Sequence, residues 1–165
     1  MKKVLAIILL FTLIFASACQ SKGNETETGP AHEEIGDLKE ALSDMVEKAE
    51  MKDLLEGGML EEIKAGEAGY LIGAEQVSGS YTEAYSLQPM INVHPFAMGL
   101  FRLAEGEDPL LFAGELKEKA DLRKWICVEA DTVYVATRGQ LVLFIMGSVD
   151  EVNAIAGAAQ FTVLG

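Results

Sequence analysis

Few side chains in this sequence could do covalent or metal chemistry. It has two cysteines, Cys19 and Cys127, and two histidines, His32 and His94, in 165 residues. A structural zinc site needs four convergent ligands at short paired spacings, and these four residues show no such pairing, so no metal is expected. The acids of Glu105-Gly106-Glu107-Asp108 lack the alternating ligands and distant glutamate of a calcium loop, and helix capping accounts for them. Ser78-Gly79-Ser80 fits neither a G-x-S-x-G elbow nor an S-x-x-K start, and no glycine-rich phosphate cradle follows a strand. The 26 acidic residues allow many carboxylate pairs of the kind that cleave glycosides, but spacing along a chain does not fix spacing in space. No catalytic residue is assigned and no cofactor is expected.

Cys19 stands out by its surroundings. Lys2 and Lys3 make a positive start, residues 4–18 carry no charge, and Ala16-Ser17-Ala18 places three small residues ahead of the cysteine. That is the layout of an export leader. The segment resembles the start of a bacterial lipoprotein, which implies cleavage between Ala18 and Cys19, diacylglycerol on the Cys19 sulfur, and attachment to the outer face of the cytoplasmic membrane through acyl chains. Two or three such chains hold far more firmly than one. The apolar run is too short for a comfortable membrane span of roughly twenty residues, which argues for a cleaved leader over a retained transmembrane helix. One alternative stays open, since Ala16-Ser17-Ala18 also satisfies the rule for ordinary secretion.

The expected organisation is therefore a leader over residues 1–18, a tether over residues 19–32, and a single domain over residues 33–165. The tether has almost nothing to bury and behaves as a coil of about 20 Å reach. With Cys19 lipidated, Cys127 has no disulfide partner. Its apolar flank, Trp125-Ile126-Cys127-Val128, suggests a buried, unreactive thiol.

The whole chain carries a formal charge of −13, and removing the leader takes two of its 13 basic side chains and none of its 26 acidic ones. Such a surface repels phosphate backbones and anionic headgroups, so no nucleic acid partner is expected and the domain should stand off the bilayer. A solubilising acidic coat is the plainer reading, an acidic recognition face the sharper one.

Apolar residues at Ile35, Leu38, Leu42, Met45, Val46 and Ala49 recur at three- and four-residue intervals, which predicts an amphipathic helix within residues 33–56. Its acidic polar face argues against a membrane-surface helix. Gly57-Gly58 should stop it, and residues 59–64 look like a second short helical piece. Residues 83–91 and 96–103 form two extended stretches about an Asn-Val-His-Pro turn, with His94 read as a turn residue. Asp108 and Pro109 suit the cap and first position of a helix running to about residue 124. Residues 132–137 and 140–146, split by Arg138-Gly139, make the clearest hairpin, and the continuous apolar run of the second strand marks it as central and covered on both faces. Ser148 to Glu151 forms a capping box opening another helix, and residues 161–164 suit an edge strand.

The order predicts an α+β domain: an antiparallel sheet of four to five strands covered by helices in two layers, preceded by the N-terminal amphipathic helix. Tyr81, Tyr85 and Met90 sit near the first hairpin among Phe96, Met98 and Phe101. Core packing is the default for such a stripe, but an exposed subset of Tyr81, Tyr85 and Met90 would form a partner contact.

Residues 123–131 and 141–146, with Gln88-Pro89-Met90-Ile91-Asn92-Val93, resemble the C-terminal half of a family of small lipoproteins from Gram-positive anaerobes that carry a domain of unknown function. The likeness covers about residues 83–148 and implies an anchor and one compact domain, with no activity to transfer. The expectation is a lipid-anchored, non-enzymatic interaction module with an envelope protein as partner. The competing expectation is a small-ligand or cation-binding receptor.

Overall fold

A computed structural model describes residues 35–164. The expected leader and tether, Cys19 included, lie outside the described residues. The elements run α1 (Leu38–Lys48), α2 (Lys52–Glu56), β1 (Gly58–Glu62), α3 (Ala68–Ile72), β2 (Tyr81–Pro89), β3 (Ala97–Leu103), α4 (Pro109–Lys119), β4 (Thr132–Arg138), β5 (Leu141–Gly147), α5 (Val149–Ala159) and β6 (Thr162–Val163). The fold is α+β, with one sheet in the order β1-β2-β3-β5-β4-β6. Every neighbouring pair is antiparallel.

The two expected hairpins, β2–β3 and β4–β5, are joined side by side through β3 and β5, where Ala97 lies opposite Met146 and Arg102 opposite Leu141. Every residue of β5 is buried, and every residue of β3 except Arg102. Successive side chains on a strand point to opposite faces, so these two strands must be covered twice. On one face Leu143 and Ile145 meet Leu38, Leu42 and Val46 of α1 and Val152 and Ile155 of α5. On the other, Val142 and Phe144 meet Phe112, Ala113 and Leu116 of α4 and Leu71 and Ile72 of α3. The molecule thus has three layers, not two.

Local signals explain most boundaries. The Asp37 side chain caps α1 by accepting from the Glu40 N–H. Asp108 caps α4 ahead of Pro109, and Ser148 with Glu151 forms the complete capping box of α5. The first helical stretch breaks into α1 and α2 at residues 49–51, where Glu50 takes a left-handed conformation (φ 61°).

The described residues hold six strands where four to five were expected. The extra one is β1, over most of the segment read as a short helix. Its methionine, leucine and glutamates favour a helix locally, yet pairing with β2 overrides that preference, setting Gly58 opposite Pro89 and Glu62 opposite Tyr85. A Cβ at Gly58 would sit 2.4 Å from the Leu54 carbonyl oxygen and 2.7 Å from Leu87 Cδ1, so the turn from α2 into β1 needs a bare backbone there. β1 is an edge strand, and its exposed Glu61 and Glu62 are the kind of charged residues that discourage edge-to-edge pairing.

Two glycine substitutions should move stability in opposite directions. Gly58→Ala should destabilise by more than about 1 kcal/mol, because a backbone carbonyl blocks the new methyl. Gly114→Ala, inside α4 with nothing within 4 Å of the added carbon, should stabilise by about 0.5–1 kcal/mol. Chemical denaturation of both variants checks the pair.

Candidate functional site

The sheet has two distinct ends. At one, the Arg102 guanidinium donates through Nη2 to the carbonyls of Ile35 (2.9 Å) and Gly36 (2.8 Å) and through Nε to Glu83 (3.1 Å). The described chain begins there. The other end lies beyond Ala97, about 17 Å away at 3.3–3.4 Å per residue. It is built from the α1–α2–β1 corner, the C-terminus of α3, the β2–β3 loop, residues 120–131 and the N-terminus of α5.

Three polar fastenings hold these loops together. The Met90 N–H donates to the Gly57 carbonyl at 3.1 Å and joins the β2–β3 loop to the corner before β1. In the second, His94 Nε2 donates to Glu151 Oε1 at 2.5 Å, while Oε2 of the same carboxylate accepts from the Ser148 hydroxyl (2.6 Å) and N–H (2.9 Å). The capping box of α5 thereby doubles as an anchor for the loop. Serine, glutamate and histidine are gathered here, but the carboxylate lies between the other two. A serine nucleophile needs the imidazole against its hydroxyl, and in this arrangement the hydroxyl proton is directed at Glu151.

The third fastening is Lys124, whose ammonium donates to the carbonyls of Leu71 (2.6 Å) and Tyr70 (3.3 Å) and to Gln88 Oε1 (2.8 Å). Two of these are carbonyls from the last turn of α3, which a helix end leaves without intrahelical partners. Burial pushes the Lys124 pKa down to about 8. A depressed lysine can act as a nucleophile, but all three donors of this one are committed to oxygen atoms, so its role is to hold residues 120–131 against α3 and β2. The ammonium also lies 5.0 Å from the centroid of the Trp125 ring.

Large exposed apolar side chains collect at the same end. Among the described residues Met59, Tyr70, Met90, Ile91, Val93, Ile126 and Val149 are exposed there, whereas Leu110, Leu111 and Val163 are exposed elsewhere. Ile126 at 99% and Tyr70 at 88% are as open to water as side chains can be. Scattered exposed apolar residues are ordinary, whereas several at one end make that end the candidate contact surface.

The residues singled out from sequence fall in different places. Met90 belongs to this end. Tyr81 pairs with Leu103 at the opposite end of the sheet, its ring set edge-on to Phe101 (5.4 Å) and Phe112 (6.4 Å), and burial raises the pKa of its hydroxyl. Tyr85 packs half-buried against the cluster that includes α1, on the other face from Tyr81. The three do not meet. Cys127, expected to be buried, is exposed: Trp125 takes the interior position in its segment, and the irregular backbone there turns Ile126 and Cys127 outward. The seven apolar residues are spread over five separate segments, namely β1, α3, the β2–β3 loop, residues 120–131 and the start of α5, so no local sequence signal could have grouped them.

Among the described residues no group of three or more His, Cys, Asp or Glu side chains could hold a metal ion, and no helix is long and apolar enough to cross a membrane. No protein family matches the chain, and neither a curated protein nor a solved structure matches it.

Two measurements test the fastenings. Because the folded pKa of Lys124 is below that of an ordinary lysine, its buried charge penalises the fold fully below about pH 8, and the penalty fades as pH rises toward 10.5. The stability gap between wild type and Lys124→Met, from urea unfolding, should therefore shift toward the wild type by about 2 kcal/mol between pH 7 and pH 10. His94→Ala should accelerate amide hydrogen exchange at residues 90–94 and leave β3 and β5 protected.

Proposed function

We propose that this chain is a lipid-anchored, extracytoplasmic interaction module whose contact surface is the loop end of the sheet, with an envelope protein as partner. The observation that carries the reading is the placement of the exposed apolar side chains, gathered at the end away from the Arg102-held start of the domain. The fastenings at His94 and Lys124 fit the same role, because loops held in place before binding lose less conformational freedom on contact. A receptor for small ligands or cations has less support, since His94, Ser148, Glu151 and Lys124, the partly buried polar groups at this end, are engaged with one another or with neighbouring loops.

The anchoring half of the proposal rests on residues 1–19 and on the likeness to bacterial lipoproteins. Cys19→Ser should abolish labelling by a fatty-acid probe and move the protein from the membrane pellet to the soluble fraction. Intact-mass measurement of the native protein should find residues 1–18 removed and acyl mass on Cys19. An unmodified thiol there would overturn the anchor.

A further inference from the structure

We infer that the loop end of the sheet docks a polypeptide segment that is apolar in its middle and flanked by lysine or arginine. This rests on the reading of the chain as an interaction module and names the chemistry of its partner.

The argument starts from what surrounds the apolar side chains. The β2–β3 loop from Met90 to Phe96 contains no acid and no fixed positive charge, and it presents Met90, Ile91 and Val93 to solvent. Around it stand acids from each neighbouring element. Glu50, Asp53 and Glu56 come from the α1–α2–β1 corner, Asp121 and Asp131 from the segment between α4 and β4, and Asp150 from the first turn of α5, all exposed. Backbone bonds fix their places: the Asp121 N–H donates to the Ile72 carbonyl (2.8 Å) and the Asp131 N–H to the Gly147 carbonyl (3.0 Å). Of the basic residues at this end, Lys52 is exposed among the acids of the α1–α2–β1 corner, Lys124 is engaged as described, and Arg123 lies 3.8 Å from Glu129, so the acids outnumber the bases. The surface is thus an apolar centre with a predominantly acidic rim.

Charge complementarity then separates the possible occupants. An isologous contact between two copies through this end would set acidic rim against acidic rim. An anionic bilayer surface would meet the same repulsion. A segment with apolar side chains for the centre and basic ones for the rim buries the first and pairs the second, and attraction between the rims would steer its approach. Rim contacts of this kind weaken with ionic strength.

The test uses the full chain in the producing cells. A photo-crosslinking amino acid is placed singly at Ile91 and Ile126, and at Leu111 and Val163 as exposed controls away from this end. Adducts are digested, and the attached segment is read by mass spectrometry. The expected result is that positions 91 and 126, but not 111 and 163, attach to one polypeptide through a segment with apolar residues between lysines or arginines. Charge reversal at the rim, Asp53→Lys with Asp150→Lys, should then cut the adduct yield about tenfold while leaving the thermal unfolding midpoint near that of the wild type. Adducts with a second copy of this chain, with lipid, or with a segment lacking basic flanks would overturn the inference and leave open which partner the module holds. An unchanged yield after charge reversal would overturn it equally. A double variant that unfolds is replaced by Asp53→Asn with Asp150→Asn, for which a reduced yield is required. Failure of all four positions to give a specific adduct would overturn the interaction-module reading itself.

Discussion

The pairing of β3 with β5 is the constraint from which the rest of the molecule follows. Both strands are buried on both faces almost throughout their length, so neither can stand at an edge or face water. Their neighbours β2 and β4 shield them laterally, and two helical layers shield them above and below. A sheet sealed in this way has little surface of its own to offer. One edge, β1, is lined with exposed glutamates, and the other, β6, is two residues long. The loops at the two ends are what remains. Arg102 and the first described residues lie at one of them, and most of the large exposed apolar side chains gather at the other.

Much of the fold was legible because certain residues have one local meaning. Asp108-Pro109 and Ser148 with Glu151 announce helix starts through unsatisfied backbone N–H groups, and the glycine between two β-rich runs announces a tight turn, which falls at Gly139-Gln140 because Arg138 still pairs with Leu141. The run from Leu141 to Met146 already required a strand covered twice. The two-layer expectation followed the hairpin order and neglected that requirement. Residues 59–64 were misread because methionine, leucine, glutamate and lysine favour a helix unless a neighbouring strand recruits them, and recruitment by β2 is a tertiary event. Cys127 was placed inside because its neighbours are apolar, whereas in an irregular segment one large ring, that of Trp125, takes the buried position.

The candidate surface was far less legible. Tyr70, Met90 and Ile126 are distant in sequence, and only the topology and the Lys124 bonds to Tyr70 and Gln88 place their loops together. Polar residues at this end illustrate the same point from the other side. By type, His94, Ser148 and Glu151 could suggest catalysis and Lys124 a nucleophile. Their geometry assigns them to joints between loops, because each donor already has its acceptor within the fold.

One consequence of the Arg102 grip concerns mechanics. The carbonyls of Ile35 and Gly36 are held by a side chain that springs from β3, so tension on the backbone ahead of residue 35 reaches the innermost strand of the sheet as well as the first helix. There it acts against the antiparallel ladder with β5, whose rungs share the strain. A pull applied at residue 35 would unravel α1 only after Arg102 let go.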